Sequence, residues 1–139
     1  MEVSKKISVT PLKKINLEDG DILHALKKSD LGYAGFGEAY FSFIKFNAVK
    51  AWKLHKEMTL NLVVPVGDVR FVFFSQQDAG FLELEIGENN YQRITVPPGI
   101  WFGFKGIHAY TSLIINLADI EHDPKEGQKK SINEFKYEW

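Results

Sequence analysis

The feature that most constrains this chain is a succession of short apolar runs, each closed by turn residues, with no helices interleaved. "EAYFSFIKF" (38–46) is aromatic and partly alternating, and "AVKAWKLH" (48–55) alternates. "TLNLVVPV" (59–66) is apolar up to Gly67-Asp68, and "VRFVFFS" (69–75) runs into the turn "QQDAG". "FLELEIG" (81–87) alternates apolar and acidic residues before "GENN", and "YQRITV" (91–96) leads into "PPG". "IWFGF" (100–104) and "HAYTSLIINLA" (108–118) complete the series. Together they make about eight or nine strands at a spacing of roughly 8–12 residues, the pattern of an antiparallel sandwich or barrel rather than a βαβ sheet. "LEDGDILHALKKS" (17–29) is the one segment that reads as a short turn or helix. No repeat, low-complexity segment or linker divides the chain, so residues 1–139 are expected to form one domain.

Composition narrows the function classes. With 45% hydrophobic and 14% aromatic residues, 139 residues suffice for a proper core. The net charge of −1 gives no global attraction to nucleic acid or to an anionic membrane, so any anion site must be local. The absence of cysteine removes disulfides, thiolate metal sites and thiol nucleophiles. The N-terminal "MEVSKKISVTPLKKINLEDG" lacks the apolar core of a signal peptide, and no run approaches the ~18 apolar residues of a membrane span. The expectation is a cytoplasmic protein with no nucleic-acid or membrane partner.

Walker, GxSxG and HExxH motifs are absent. His24, His55, His108 and His122 show no ligand spacing, so neither a metal site nor a cofactor is expected. What stands out is "KAWKLHK", with Lys50, Lys53, His55 and Lys56 within seven residues. Strand periodicity puts Ala51, Lys53 and His55 on one face and Lys50, Trp52 and Leu54 on the other. If the first face is inward, a cation stands beside an imidazole and favours its neutral, basic form, while the lysine can hold a phosphate or an enolate oxygen. If outward, this is an edge strand whose lysines deter aggregation. Arg70 can reach a diphosphate with its planar fork, or pair with a neighbouring carboxylate on the surface. Glu83 and Glu85 share a face, which their alternation with Leu82, Leu84 and Ile86 marks as solvated. Trp52, Tyr91, Trp101, Phe102 and Tyr110 can stack on a base or sugar, or lie in the core.

Several stretches in order resemble one family. "VPPGIWFGF" (96–104) resembles the "IPxGxxHGF" segment of the dTDP-4-dehydrorhamnose 3,5-epimerases, metal-independent cupins. "KAWKLH" sits where that family carries "RGLH", and "NLVVPVGDV" where it carries "KLVxVxxGxV". "HDPKEGQKKSINEFKYEW" is similar to its closing Asp-Pro, spacer and "xxYxW". The resemblance runs from about residue 38 to 139. The dTDP-sugar 3,4-ketoisomerases resemble the chain too: "KLHKEMTLNLVVPVG" keeps the end of their "HAHK" and a following glycine, with Lys53 where their first histidine stands.

The resemblance implies an all-β double-stranded β-helix, the cupin jelly roll, usually dimeric. The N-terminal "KKISVTPLKKI" (5–15) is a candidate strand for exchange between subunits. It also implies an isomerase or epimerase of nucleotide-sugar biosynthesis acting on an NDP-4-keto-6-deoxyhexose. His55 matches the base, Lys53 and Asn61 are the polar partners for a substrate oxygen, and Lys50 and Arg70 are candidates for the diphosphate. Tyr110 and Trp101 are substrate-contact candidates. The chain departs from the family at three places: Asn61 stands for a lysine, Phe102 for a histidine, and the family's tyrosine near residues 113–115 is missing. The departures leave a second expectation open, a non-catalytic cupin that binds a sugar nucleotide or carbohydrate, and a third, a structural dimer with no ligand.

Overall fold

The computed structural model describes residues 6–78 and 80–139. Met1 to Lys5, which open the segment expected to lack a signal peptide and begin the N-terminal strand, lie outside the described residues, as does Ala79 of the 76–80 turn. Among the described residues there are twelve strands: β1 (Ser8–Pro11), β2 (Lys14–Ile15), β3 (Ile22–Leu23), β4 (Glu38–Ile44), β5 (Val49–His55), β6 (Leu60–Val66), β7 (Asp68–Phe74), β8 (Phe81–Gly87), β9 (Gln92–Val96), β10 (Trp101–Gly106), β11 (Ser112–Ala118) and β12 (Gly127–Lys129). Sheet I has the order β1-β9-β6-β11-β4 and sheet II the order β12-β5-β10-β7-β8, with β2-β3 as a separate hairpin. The sheets are antiparallel throughout. This is an antiparallel sandwich, as the strand spacing predicted, and the jelly roll that the resemblance implied.

Alternation decides which side chains enter the core. Along β11 every second residue is buried, and on β8 Leu82, Leu84 and Ile86 turn inward while Glu83 and Glu85 face solvent. The core between the sheets gathers Leu60, Leu62, Val64, Phe71, Phe73, Ile94 and Ile114. β6 is buried from Leu60 through Val64 because both its faces are covered. The outer cover is the segment between β3 and β4: Asn61 donates to the Gly32 carbonyl (3.0 Å). Gly67 turns the chain from β6 to β7 at φ +88°, where a Cβ would fall 2.1 Å from Ser112 Oγ.

No helix forms over 17–29. Gly20, at φ +136°, and the Leu17 N–H bonded to Asp21 Oδ1 (3.0 Å) make a turn there instead, which closes the β2-β3 hairpin. Local Asp-Gly chemistry outweighs the weak apolar spacing. The strand expected over 5–15 is broken into β1 and β2, and β1 pairs with β9 of its own chain, Ser8 opposite Thr95.

Candidate functional site

A cavity of about 370 Å³ opens between the sheets, within the usual size for a small-molecule site. Sheet II contributes Lys50, Lys53 and His55 from β5, Phe102 and Phe104 from β10, and Lys129 from β12. Sheet I contributes Tyr40 and Ser42 from β4 and Asn116 from β11. Lys50, Lys53 and His55 of the cationic cluster therefore line a pocket, whereas Lys56 is exposed outside it.

Its geometry corrects the simple alternation. Phe102 pairs with Lys53, yet Gly103 pairs with Ala51 and Phe104 with Lys50. Trp52 is the extra residue of a β-bulge, and a bulge resets the two-residue period. Phe102 and Phe104 share a face, so Lys50 and Lys53 share it too, and Lys50 joins His55 instead of opposing it. Lys50 Nζ donates to the Phe43 carbonyl (2.8 Å). Lys53 stands across from Lys129, and its ammonium pKa is lowered, first by burial and then by that like charge.

His55 is buried, and its ring stacks on Phe102 at a centroid distance of 6.2 Å. Its Nδ1 lies 2.6 Å from Glu126 Oε1. The other carboxylate oxygen accepts the N–H groups of Glu57 (3.0 Å) and Met58 (2.9 Å). Burial pushes the Glu126 pKa up, but the bonds from His55 and the two backbone N–H groups outweigh it and hold the carboxyl at about 2. An ionised carboxylate only accepts, so Nδ1 carries the proton and Nε2 is left as the acceptor. Nε2 is buried and has no hydrogen-bond partner among the described residues. The carboxylate thus sets the tautomer of the neutral ring from behind.

The pair also carries a stability signature. The folded Glu126 pKa lies below the ordinary 4.5, so its contribution is full above about 4.5 and is lost as pH falls toward about 2. Urea unfolding across that window is expected to show the wild type losing stability more steeply than Glu126→Gln.

Tyr40 faces the cavity from the opposite sheet, and burial, then the Glu38 charge, raises its phenol pKa and keeps it protonated. The remaining candidates lie elsewhere. Asn61 is buried but points away from the cavity, its amide oxygen taken by Arg93 Nε (3.0 Å) and Thr95 Oγ1 (2.6 Å). Arg70 donates to Glu85 Oε2 (2.9 Å) on the exposed face of sheet II, the surface pairing rather than a diphosphate contact. Trp101 is buried in the outer aromatic cluster, with Lys130 Nζ 5.0 Å from its ring. Tyr110 is exposed beside His108 and does not line the cavity. Tyr91 lies in the interior and donates to the His24 carbonyl (2.7 Å). Sequence reasoning missed Glu126, which is 71 residues from His55, and Tyr40.

Two antiparallel sheets enclosing a cavity with a histidine–carboxylate pair define a ligand-binding cupin jelly roll. The crystal structure of a dTDP-sugar isomerase from Desulfovibrio desulfuricans is 30% identical, with a TM-score of 0.88 over 92% of this chain and 85% of that one. The chain belongs to this family of dTDP-sugar isomerases and epimerases. The probable low-salt glycan biosynthesis epimerase Agl13 of Haloferax volcanii is 30% identical over 100 residues, which cover 68% of this chain. The match spans 64% of that relative's length. The 3,5-epimerase RmlC of Legionella pneumophila, solved with dTDP-4-keto-L-rhamnose, shares the fold at 14% identity, with a TM-score of 0.78 over 92% of this chain and 74% of that one. No family model matches the chain.

Proposed function

We infer that this protein is an isomerase or epimerase of nucleotide sugars, acting on an NDP-4-keto-6-deoxyhexose through proton abstraction beside the keto group. The observation that carries the reading is His55 lining the cavity, with Nδ1 committed to Glu126 and Nε2 without a hydrogen-bond partner among the described residues. A hydrogen next to a carbonyl is acidic because the charge left behind spreads onto oxygen. His55 Nε2 takes that proton, and the Lys53 ammonium lies on the same strand face to stabilise the enolate oxygen. Lys50 and Lys129 supply charge for the diphosphate, and Phe102 and Phe104 give apolar surface to the sugar or base. The reading needs no metal, since the carbonyl itself acidifies the carbon.

Inversion of a carbon requires the returning proton to arrive on the face opposite to the one it left. Tyr40, which lines the cavity from sheet I while His55 lines it from sheet II, is the protonated group we assign to that step. Tyr40→Phe is therefore expected to keep exchange of the carbon-bound proton with solvent while losing about tenfold or more in inversion, measured as deuterium uptake against product formation. Loss of both in equal measure overturns the role of Tyr40.

A homodimer fits the outer face of β4, where Phe41 and Phe43 are 67% and 63% exposed beside Phe46. The test of the function is proton NMR in deuterated water with dTDP-4-keto-6-deoxyglucose. Deuterium entering at C3 or C5 supports the reading, and its position separates epimerase from ketoisomerase. Binding without exchange would instead make the protein a sugar-nucleotide binding module.

A further inference from the structure

The outer face of sheet II carries an aromatic cluster that the cavity chemistry does not use. At its centre is Trp52, 1% exposed. Phe135 and Trp139 approach its ring to centroid distances of 5.3 and 5.2 Å, and Tyr137 to 6.3 Å. All three come from the last five residues of the chain. Tyr137 is tied down by its hydroxyl, which donates to Glu83, and Trp139 by its carbonyl, which accepts Lys105 Nζ (2.8 Å). Gly103 leaves room for the clamp: a Cβ there would stand 3.1 Å from Trp139 Cη2 and 2.5 Å from Ala51 Cβ.

The same tail is zipped along β5. The Lys56 N–H donates to the Glu126 carbonyl (2.9 Å), and β12 pairs with β5 from His55 to Lys53. Lys130 and Trp52 exchange both backbone hydrogen bonds (3.0 Å each), and Trp52 Nε1 donates to the Ile132 carbonyl (3.3 Å). One end of this zipper holds Glu126 against His55, and its middle places Lys129 in the cavity. Its other end grips Trp52, the bulged residue that turns Lys50 onto the face of Lys53. The bulge gives up pairing with β10 at Trp52, and the tail supplies both its backbone partner, Lys130, and the aromatic packing around its ring.

We propose that Phe135, Tyr137 and Trp139 form a clamp that positions the active-site cavity from the back of the sheet. By holding Trp52 they keep both the β5 bulge and the β5–β12 pairing, and so set Glu126 on His55 and Lys50 beside Lys53. They are positioning residues and touch no substrate. The kinetic consequence rests on the proposed function, whereas the geometric one does not.

The experiment reads both. Nitrogen-15 NMR of the His55 ring in the full-length protein, well below the unfolding midpoint, reports which nitrogen carries the proton. The wild type is expected to show a protonated Nδ1. Trp139→Ala is expected to give mixed tautomers, a rate of solvent exchange into the sugar nucleotide lower by roughly 10²-fold, and a raised KM, because a misplacement of about 1 Å costs that much. Trp139→Phe restores all three. Tyr137→Ala, the most peripheral change, gives a smaller shift in the same direction and serves if Trp139→Ala does not fold. A lowered Tm with an unchanged His55 spectrum in these variants overturns the clamp, because packing alone would then be the role of the cluster. If the wild type shows no exchange, the substrate reading fails while the nitrogen-15 comparison still decides the clamp.

Discussion

Glu126→Gln should disable the protein nearly as fully as His55→Ala, although Glu126 only meets the far side of the imidazole. Removing the base itself is expected to lower solvent exchange into the sugar by roughly 10²–10⁴-fold. The glutamine argument is one of orientation. Glu126 uses one oxygen for His55 Nδ1 and the other for the N–H groups of Glu57 and Met58, so all three of its partners are donors. An amide offers only one acceptor. If its oxygen turns to the backbone, its NH2 faces His55 and forces the proton onto Nε2, the atom that must be bare. If its oxygen turns to His55, the NH2 abuts two N–H groups and leaves them without acceptors. Either way the loss is expected at about 10³–10⁴-fold, the scale known for a wrong tautomer in another histidine–carboxylate enzyme. The check is the deuterium-exchange rate of both variants together with the binding of the substrate's nucleotide. An exchange rate for Glu126→Gln within about threefold of wild type would remove Glu126 from the mechanism.

The second large effect concerns stability. Arg93 is fully buried, and its guanidinium donates to Asn61 Oδ1 (3.0 Å), the Ala25 carbonyl (2.9 Å), Asp30 Oδ2 (3.3 Å) and the Leu31 carbonyl (3.0 Å). These acceptors lie on β6 and on the segment that covers the outside of sheet I. Arg93→Met keeps much of the volume but takes the guanidinium donors from the Ala25 and Leu31 carbonyls, while Asp30 Oδ2 keeps the Lys27 N–H (2.8 Å) and Asn61 Oδ1 keeps Thr95 Oγ1. The expected cost is about 2–6 kcal/mol, from two carbonyls left unsatisfied at about 1–3 kcal/mol each. Arg93→Lys should recover little, because one ammonium cannot reach acceptors spread over a planar fork. Urea unfolding gives the free energy, and amide exchange should show residues 25–32 losing protection first. A loss below about 1 kcal/mol would mean that the segment is held by its apolar contacts alone.

Arg93 also shows why the candidate site was only partly legible. In the sequence it is one charged residue in "YQRITV", indistinguishable from the surface cation that Arg70 proves to be. Burial separates them, and burial depends on which segment folds over the strand. Asn61 failed as a catalytic candidate for the same reason: its strand position was right, but its side chain faces Arg93 on the outside of sheet I rather than the cavity. The resemblance carried the position of Asn61 across without the lysine that gave that position its chemistry.

What the sequence by itself determined is the strand framework and two residues of the cavity. Two-residue alternation and Gly, Pro and Asn turns are local signals, and they placed the strands from β4 to β11 to within a few residues. The "KLHK" run singled out His55 and Lys53, which do meet at the cavity. What only the tertiary structure decided is everything that depends on pairing between distant segments. Glu126 reaches His55 because β12 returns alongside β5, Tyr40 lines the same cavity as His55 because sheet I lies over sheet II, and Lys50 joins the Lys53 face at the cavity because Trp52 bulges. Periodicity assigns a residue to one of two faces. A single extra residue exchanges those faces, and nothing local records whether the packing of a distant tail will hold it there.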